Sequence, residues 1–386
     1  MLFTSTDFSA LDLPEHLSQV RHEVREFLHE ERRQGSFRVH LGHGEFDAEF
    51  SRKVGSRGWI GVTWPKKYGG REASYLERFV ITEELLAAAA PISAHWIADR
   101  QTGPSFLRFG TEAQRQKYLP AIAKGECYFA IGMSEPNSGS DLASVRTRAD
   151  KVSGGWKLSG QKVWSSWAHK AHAMFVLCRT SPLAENKHEG LSQLIVDLPS
   201  PGVTIRPINF LNNEHHFNEV FFDEAFVPDE MVLGEIGQGW RQVTSELALE
   251  RSGPERYMNT LPLFFALIDR LKTSPDRMAR VTVGTLLARF ASVRVMSLAI
   301  ASEFSRETSP NLATEAALVK DIGTHFEREV TEAVKMLLDV TPGVDADDEL
   351  ERLVGEATIF APISTIRGGT TQILRGIVAK RLEGGV

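Results

Sequence analysis

Apolar and polar residues follow two different spacings along this chain. Up to about residue 125 the apolar positions recur every three or four residues, as in LPEHLSQVRHEVREFLHEERR, which predicts helices. From 126 to about 235 short β-rich runs such as AMFVLCRT and EVFFDEAFV alternate with Gly, Pro, Asn and Asp, which predicts strands. Helical spacing then returns in LPLFFALIDRLKT and in the long stretch that begins NLATEAALVKDIG, so the last third is predicted to be a helix bundle.

This order of elements predicts an α+β protein. We expect an N-terminal helical domain at 1–125, a middle antiparallel β domain at 126–235 and a C-terminal helix bundle at 236–386. No G-x-G-x-x-G follows a predicted strand, so a parallel dinucleotide-binding fold is not expected. A nucleotide cofactor would therefore have to bind between domains.

Composition narrows the class of protein. The 386 residues carry a formal charge of −6 with mixed signs and no basic stripe, so nucleic acid is not an expected partner. The first residues lack the pattern of a secretion signal, and no later apolar run is expected to reach the roughly 20 residues that cross a bilayer. We expect a cytoplasmic protein. Cys127 and Cys178 stand far apart without a ligand cluster, so neither a disulfide nor a metal site is expected.

Two segments of the predicted β domain carry candidate chemistry. YFAIGMSEPNSGSDLASVRTRA ends a strand in a loop rich in hydroxyls and backbone N–H groups, which suits an anion or a polar ring, although a plain strand connection would read the same. About twenty residues later, Trp164 and Trp167 flank Ser165 and Ser166. Such tryptophans are either core residues or a stacking wall for a flat ring.

Together the two segments resemble the acyl-CoA dehydrogenase family, which carries a T/S-E-P-x-x-G-S-D motif followed by a G-x-K-x-W type motif. The counterparts in this chain are Ser134, Glu135, Pro136, Gly139, Ser140 and Asp141, then Gly160, Lys162, Trp164 and Ser166. The resemblance extends to GWIGVTWPKKYGG, FGTEAQRQKYLPAIAKGE and GGTTQILRGIVAKRL, so it spans nearly the whole chain.

The resemblance implies a C-terminal four-helix bundle and FAD bound between that bundle and the β domain. It implies cofactor contacts in three places: Met133, Ser134, Trp164 and Ser166 around the isoalloxazine, Ser140 at a phosphate of FAD or CoA, and Gly369, Thr370 and Gln372 at the last helix. The residues of TIRGGTTQILRG agree, because glycines permit close approach and a helix N-terminus favours an anion. A plain C-terminal turn would look similar, and the apolar residues Ile373, Leu374, Ile377, Val378 and Leu382 predict a face docked on the bundle.

The expected general base is displaced from its commonest position. Many relatives place a glutamate immediately before the GT of the C-terminal loop, where this chain has Gly368. A smaller branch, including isovaleryl-type and long-chain-type enzymes, places it before an arginine on the first helix of the bundle, which matches Glu250 and Arg251 here. The resemblance thus implies Glu250 as the base and Arg251 beside the substrate.

Helical spacing leads to the same glutamate. Trp240, Val243, Leu247 and Glu250 form one stripe, and a carboxylate on an apolar face is costly unless it is paired or performs a task. The alternative is a structural glutamate whose charge is satisfied by Arg251, by Arg256 or by a backbone donor.

Other polar residues are weaker candidates. His215 and His216 are neighbours in a predicted loop and would point to opposite faces, so they make a poor metal pair and are expected at the surface. Asp99 and Arg100 fall where relatives shape the acyl pocket; Arg100 would meet a polar tail or, more ordinarily, be solvated or internally paired.

The implied reaction is the α,β-dehydrogenation of an acyl-CoA thioester to the 2-enoyl-CoA, with FAD as hydride acceptor and an electron-transferring flavoprotein as electron acceptor. The glutamine and glycine pair with which homotetrameric relatives grip a neighbour's FAD are missing. This resembles the branch of heterotetrameric sterol side-chain dehydrogenases, while a homotetramer or homodimer with a different grip stays open. A non-catalytic or co-catalytic subunit and an oxidase or monooxygenase on the same fold are the alternative functions.

Overall fold

The computed structural model describes residues 13–41, 45–273, 276–304 and 312–383, and the side chains of 246–250 lie outside that description. In chain order the helices are α1 Glu15–Arg33, α2 Ala48–Ser56, α3 Tyr75–Ala87, α4 Ser93–Ile97, α5 Gly103–Phe109, α6 Glu112–Ala123, α7 Gly239–Arg251, α8 Leu261–Leu271, α9 Arg277–Phe304, α10 Ala313–Leu337, α11 Glu349–Ser364 and α12 Thr371–Glu383. The strands are β1 Phe129–Gly132, β2 Arg148–Val152, β3 Gly155–Lys162, β4 Ala173–Arg179, β5 Leu191–Asp197, β6 Val203–Asn209 and β7 His215–Pro228.

The predicted order of helices, then strands, then helices is confirmed. The described parts of the chain form two compact units, one from 1–45, 73–91 and 248–386 and one from 46–72 and 92–247. We call them the bundle unit and the sheet unit. The boundaries predicted at 125/126 and 235/236 stay a prediction.

The sheet unit is built on one seven-stranded sheet in the order β1-β4-β2-β3-β7-β6, with β5 also paired to β4. Its pairs are antiparallel except that β4 runs parallel to β1 and, through one residue pair, to β2. The whole of β4 is buried, which its unbroken apolar sequence AMFVLC requires, since a strand covered on both faces has no polar side. The ends of β1 and β3 carry the two motif segments.

The bundle unit buries its core between α8, α9, α10 and α11. Its largest apolar cluster includes Tyr257, Phe264, Val293, Phe326 and Val354. Helix α12 packs along α10 through Leu374, which is fully buried, and through the half-buried Ile377 and Val378. The predicted docking face was wrong at Ile373 and Leu382, which are exposed. The face of α12 that packs on α10 is narrower than the stripe of apolar residues along the helix.

Helix α9 corrects the expectation that no apolar run approaches the length of a bilayer span. By length and composition alone this 28-residue helix is long and apolar enough to cross a membrane, and only 33% of its most apolar stretch is buried. Core helices of other proteins meet the same two criteria. Within the bundle unit α9 packs against α3 and α10, and Arg294 on α9 binds Glu83 on α3.

Candidate active site

A buried ion pair joins the two motif segments of the sheet unit. Lys162, the last residue of β3, is fully buried, and its Nζ lies 2.9 Å from Glu135 Oε1 and 3.0 Å from the Met133 carbonyl oxygen. The carboxylate of Glu135 also accepts the backbone N–H groups of Arg146 at 2.7 Å and Thr147 at 2.9 Å. Because buried charges are tolerated only when they are paired and hydrogen-bonded, this pair fixes the segment 133–135 against the end of β3.

Burial and pairing act on the two charges in opposite directions. Burial alone would raise the pKa of Glu135, but the charge and hydrogen bond of Lys162, together with the two backbone donors, outweigh it and hold that pKa below its usual value. Burial lowers the pKa of Lys162, and Glu135 opposes that shift. A carboxylate with three hydrogen-bond donors and a lowered pKa stays ionised at neutral pH.

Gly160 allows β3 to come this close to the first motif. Its φ is +148°, and a Cβ placed there would lie 2.5 Å from Thr147 Oγ1. The register between β3 and β7 also shifts between Leu158 and Gly160. A side chain at 160 would push away the segment whose N–H groups bind Glu135, so the glycine of this motif is required by packing.

The loop after β3 has a constrained backbone. Trp164 and Trp167 have φ values of +63° and +52°, a region that costs a non-glycine residue on the order of 1–3 kcal/mol. Trp164 is 56% exposed, and its indole meets the Phe217 ring edge-on at 5.9 Å. Trp164 is therefore not a core residue, and its indole is accessible to a flat ligand.

The sheet unit brings several predicted cofactor contacts to one place. The N–H of Val163 donates to the Ser134 carbonyl oxygen at 2.9 Å, so Ser134 lies beside the Trp164 loop. Met133 is half-buried against the cluster Val145, Leu177, Leu191 and Val243. Among the described residues neither the Ser134 nor the Ser166 hydroxyl has a hydrogen-bond partner. Ser140 is exposed farther along the same loop, and no hydrogen bond within the described chain ties it to them.

Sequence reasoning missed Arg179, which organises the far side of the first motif. This buried arginine at the end of β4 donates to four backbone carbonyls, those of Ala143, Val145, Lys187 and Glu189. It thereby ties the loop after β1 to the connection between β4 and β5. The available signal was a charged residue closing an otherwise apolar strand.

In the bundle unit, two buried cations hold the C-terminal loop. Arg251 Nε donates to the Gly368 carbonyl oxygen at 3.2 Å, and Lys320 Nζ donates to the Gly369 carbonyl oxygen at 3.0 Å. Gly369 has a φ of +99°, and a Cβ there would lie 3.2 Å from Arg251 Nη2. The glycines therefore let the backbone of this loop approach both cations closely.

The other predicted residues of this region are placed as follows. Thr370 Oγ1 accepts the N–H of Ile373 at 3.4 Å in the first turn of α12, and Gln372 is exposed. Glu250 lies on α7 immediately before Arg251, but its side chain falls outside the described residues. Of the stripe predicted with it, Val243 is buried and Trp240 is half-buried, while the Leu247 side chain is also outside the description.

The prediction that His215 and His216 lie in a surface loop was wrong, because both residues begin strand β7 and neither is exposed. His216 is buried because its ring packs on Trp167 at 4.6 Å and on Phe217 at 4.7 Å, and His215 is half-buried in a stack with His169 at 3.8 Å. Burial, with the nearby charges of His215 and Lys170, lowers the pKa of His169 to about 4. Among the residues described, no group of three or more His, Cys, Asp or Glu side chains could hold a metal ion.

Asp99 and Arg100 contact other residues of the sheet unit, and both cysteines are buried. Asp99 and Arg100 both lie in a π-helical turn. Asp99 accepts the Gly61 N–H at 2.7 Å, and the buried Arg100 guanidinium lies 4.1 Å from the centre of the Trp96 ring. Burial raises the pKa of Cys127 to about 11 and of Cys178 to about 12, so both free thiols stay protonated.

Comparison with known proteins decides the family. The chain matches the sequence model of the acyl-CoA dehydrogenase N-terminal domain at residues 14–126 and that of the middle domain at 130–225. The chain belongs to the acyl-CoA dehydrogenase family. Members of this family are flavoprotein oxidoreductases.

Individual relatives support the assignment over the full length. The chain is 33% identical over 395 residues to acyl-CoA dehydrogenase IpdE1 of Mycolicibacterium smegmatis, which covers 95% of this chain and 97% of the relative. It is 34% identical over 341 residues to acyl-CoA dehydrogenase FadE34 of Mycobacterium tuberculosis, where the match covers 85% of this chain but spans only 45% of that longer protein. A solved structure named Tcur3481-Tcur3483 steroid ACAD superimposes with a TM-score of 0.85 at 28% identity over 98% of this chain and 99% of that chain.

Proposed function

We propose that the protein catalyses the FAD-dependent α,β-dehydrogenation of an acyl-CoA thioester, with Glu250 as the general base. The observation that carries this proposal is the hydrogen bond from Arg251 to Gly368. It ties the residue that follows the proposed base to the position where many relatives carry their glutamate. The backbone of Glu250 is therefore adjacent in sequence to a residue that contacts position 368. Position 368 itself is a glycine and supplies no second carboxylate.

The residues of each unit suit a flavin. FAD, when bound, supplies the hydride acceptor. In the sheet unit the exposed Trp164 indole offers a stacking surface, and the Ser134 and Ser166 hydroxyls, which have no partner among the described residues, offer hydrogen bonds to a ring edge. In the bundle unit Arg251 and Lys320 hold the loop that leads into α12, and the N-terminus of that 13-residue helix favours an electron-rich group. Glu250 takes the α-proton of the thioester in the proposed reaction.

Replacing the base tests the proposal. In Glu250→Gln the purified protein should keep its yellow flavin, but an acyl-CoA substrate should no longer bleach the visible absorbance. The control is Glu246→Gln on the same helix, which should bleach at the rate of the unmodified protein. Normal bleaching by Glu250→Gln would overturn the assignment, and colourless unmodified protein would favour a subunit without its own flavin.

The acyl group and the electron acceptor belong to the proposal as well. A steroid-derived acyl group is the first substrate class to test, because the similar structure is named as a steroid ACAD. A panel that sets such a thioester against branched and straight-chain acyl-CoA would rank the classes by bleaching rate. Rapid peroxide release in air would favour the oxidase reading over transfer to an electron-transferring flavoprotein. A cytoplasmic location stays a prediction.

We also propose that a chain of the same family, either a second copy or a related subunit, covers the exposed face of α9. The exposed residues Val281, Gly284, Thr285, Ala288 and Ser292 follow one side of that helix and line an open groove with Ile322. Small residues allow a second helix to approach closely, and the similar structure is named by two proteins.

A further inference from the structure

Strand β7 holds the loop that carries Trp164 and Ser166: the His216 carbonyl oxygen accepts the Trp167 N–H at 2.9 Å, and Asn218 binds Ser165. Asn218 is fully buried and pairs with Ser165 through the backbone, N–H to carbonyl in both directions, at 3.0 and 3.1 Å. Its side chain adds a third bond, from Nδ2 to the Ser165 carbonyl oxygen at 2.9 Å. The residue between the two predicted flavin contacts is thus bound three times by one partner.

The orientation of the Asn218 amide is decided by its neighbours. Nδ2 donates to two carbonyl oxygens, that of Ser165 and, at 3.3 Å, that of His216. If the amide were turned over, its oxygen would face both carbonyls without a donor between them. Asn218 Oδ1 must therefore point away from the loop, as an acceptor.

Two histidine N–H groups donate hydrogen bonds to this oxygen. His169 Nδ1 lies 3.1 Å and His215 Nε2 lies 2.7 Å from Asn218 Oδ1. Since the oxygen cannot donate, His169 Nδ1 and His215 Nε2 both carry hydrogen. The two rings stack with an interplanar angle of 18°, so the stack and the two hydrogen bonds together fix the orientation of the Asn218 amide.

The loop needs such support because the backbone conformation of two of its residues is energetically unfavourable. Both Trp164 and Trp167 are in the left-handed region, and the fully buried Ser165 hydroxyl has no hydrogen-bond partner within the described chain. Strained residues persist only where the surroundings over-determine them. Hydrogen bonds from β7 are the contacts that fix Ser165 in place.

We propose that Asn218 is a positioning residue, which with the stacked His169 and His215 holds the Trp164–Ser166 loop in the conformation that presents Trp164 to the flavin. This inference rests on the proposed function for the identity of the ligand only. The conformation of the loop belongs to the protein alone and can be measured without any cofactor.

The first test needs no variant and no flavin. Long-range ¹H–¹⁵N spectra of the apoprotein at pH 7 report which imidazole nitrogen carries hydrogen. We expect His169 protonated on Nδ1 and His215 on Nε2. The opposite tautomer at either ring would overturn the proposed lock.

The second test removes the asparagine side chain. In apo Asn218→Ala, chymotrypsin should cut after Trp164 or Trp167 at least tenfold faster than in the unmodified protein, with the sites located by mass spectrometry. The Kd for FAD should rise at least tenfold, as in Trp164→Ala. The matched control, Asn186→Ala in an exposed loop, should change neither.

His215→Phe provides a milder variant that keeps the ring stack but loses one N–H donor. It should show the same two effects, each two- to fivefold in size. Unchanged cleavage and unchanged FAD affinity in both variants would sink the inference while leaving the proposed reaction intact. Failure of the unmodified protein to bind FAD would instead sink the proposed function.

Discussion

Lys162→Met should show how much the ion pair between the two motifs contributes to stability. The change removes a fully buried ammonium and leaves the Glu135 carboxylate, 9% exposed, with only two backbone donors. Breaking a buried pair in this way costs on the order of 3–5 kcal/mol. All seven tryptophans lie in the sheet unit, so urea unfolding followed by tryptophan fluorescence reports on that unit. We expect the free energy of unfolding at pH 7 to fall by that amount.

Two controls separate this effect from the loss of any lysine. Lys157 on the same strand binds Glu224 at 2.8 Å, but both side chains are exposed, so Lys157→Met should cost less than about 1 kcal/mol. In Lys162→Met with Glu135→Gln the uncompensated charge is gone, and much of the loss should be recovered. A loss below about 1 kcal/mol for Lys162→Met alone would refute the reasoning.

The same pair predicts a dependence on pH. The folded pKa of Glu135 is depressed, so its stabilising contribution is present above the ordinary pKa of a glutamate and is lost as pH falls through the folded value. In Lys162→Met the carboxylate is uncompensated and its pKa should rise, so protonation relieves the variant. The difference in unfolding free energy should therefore be largest near pH 7 and should narrow as pH falls from the raised pKa of the variant to the depressed pKa of the unmodified protein, a window that includes the ordinary glutamate value of about 4.3. A difference that does not change between these pH values would contradict the assignment of charge.

Two further predictions concern the bundle unit. Gly369→Ala should destabilise it by roughly 1 kcal/mol, because the left-handed backbone is strained for alanine and the new Cβ meets Arg251, whereas Gly376→Ala within α12, where a Cβ meets nothing, should stabilise by a similar amount. Thermal unfolding followed by far-ultraviolet circular dichroism would separate the two, and equal effects would contradict the loop geometry. Val281→Asp on the exposed face of α9 should reduce the mass of the assembly in light scattering, whereas Leu211→Asp, an exposed apolar position in the sheet unit, should not.

The sequence predicted the order of helices and strands well, because these elements depend on local spacing. It predicted the end of β1 and of β3 as ligand-facing loops, and the structure brings Ser134 and the Trp164 loop together. It could not predict that Trp164 is exposed, since that follows from a left-handed backbone held by residues some fifty positions away. The same applies to His216, whose burial depends on Trp167.

The contacts that shape the site join residues far apart in sequence. Glu135 meets Lys162, Gly160 approaches Thr147, and Asn218 binds Ser165. No periodicity carries such information, because each contact depends on which strands become neighbours in the sheet. The motif pattern names the participants but leaves their pairing undetermined.

The absence of an acid in the C-terminal loop has a physical consequence. In the sheet unit the buried Lys162 faces a carboxylate, so its charge is neutralised locally. In the bundle unit Arg251 and Lys320 instead donate to the carbonyls of Gly368 and Gly369, so they hold the loop through its backbone. Gly368 has a φ of +64°, a conformation that glycine adopts freely and that is strained for glutamate. A base supplied from α7 therefore leaves position 368 free to keep the glycine that this backbone favours.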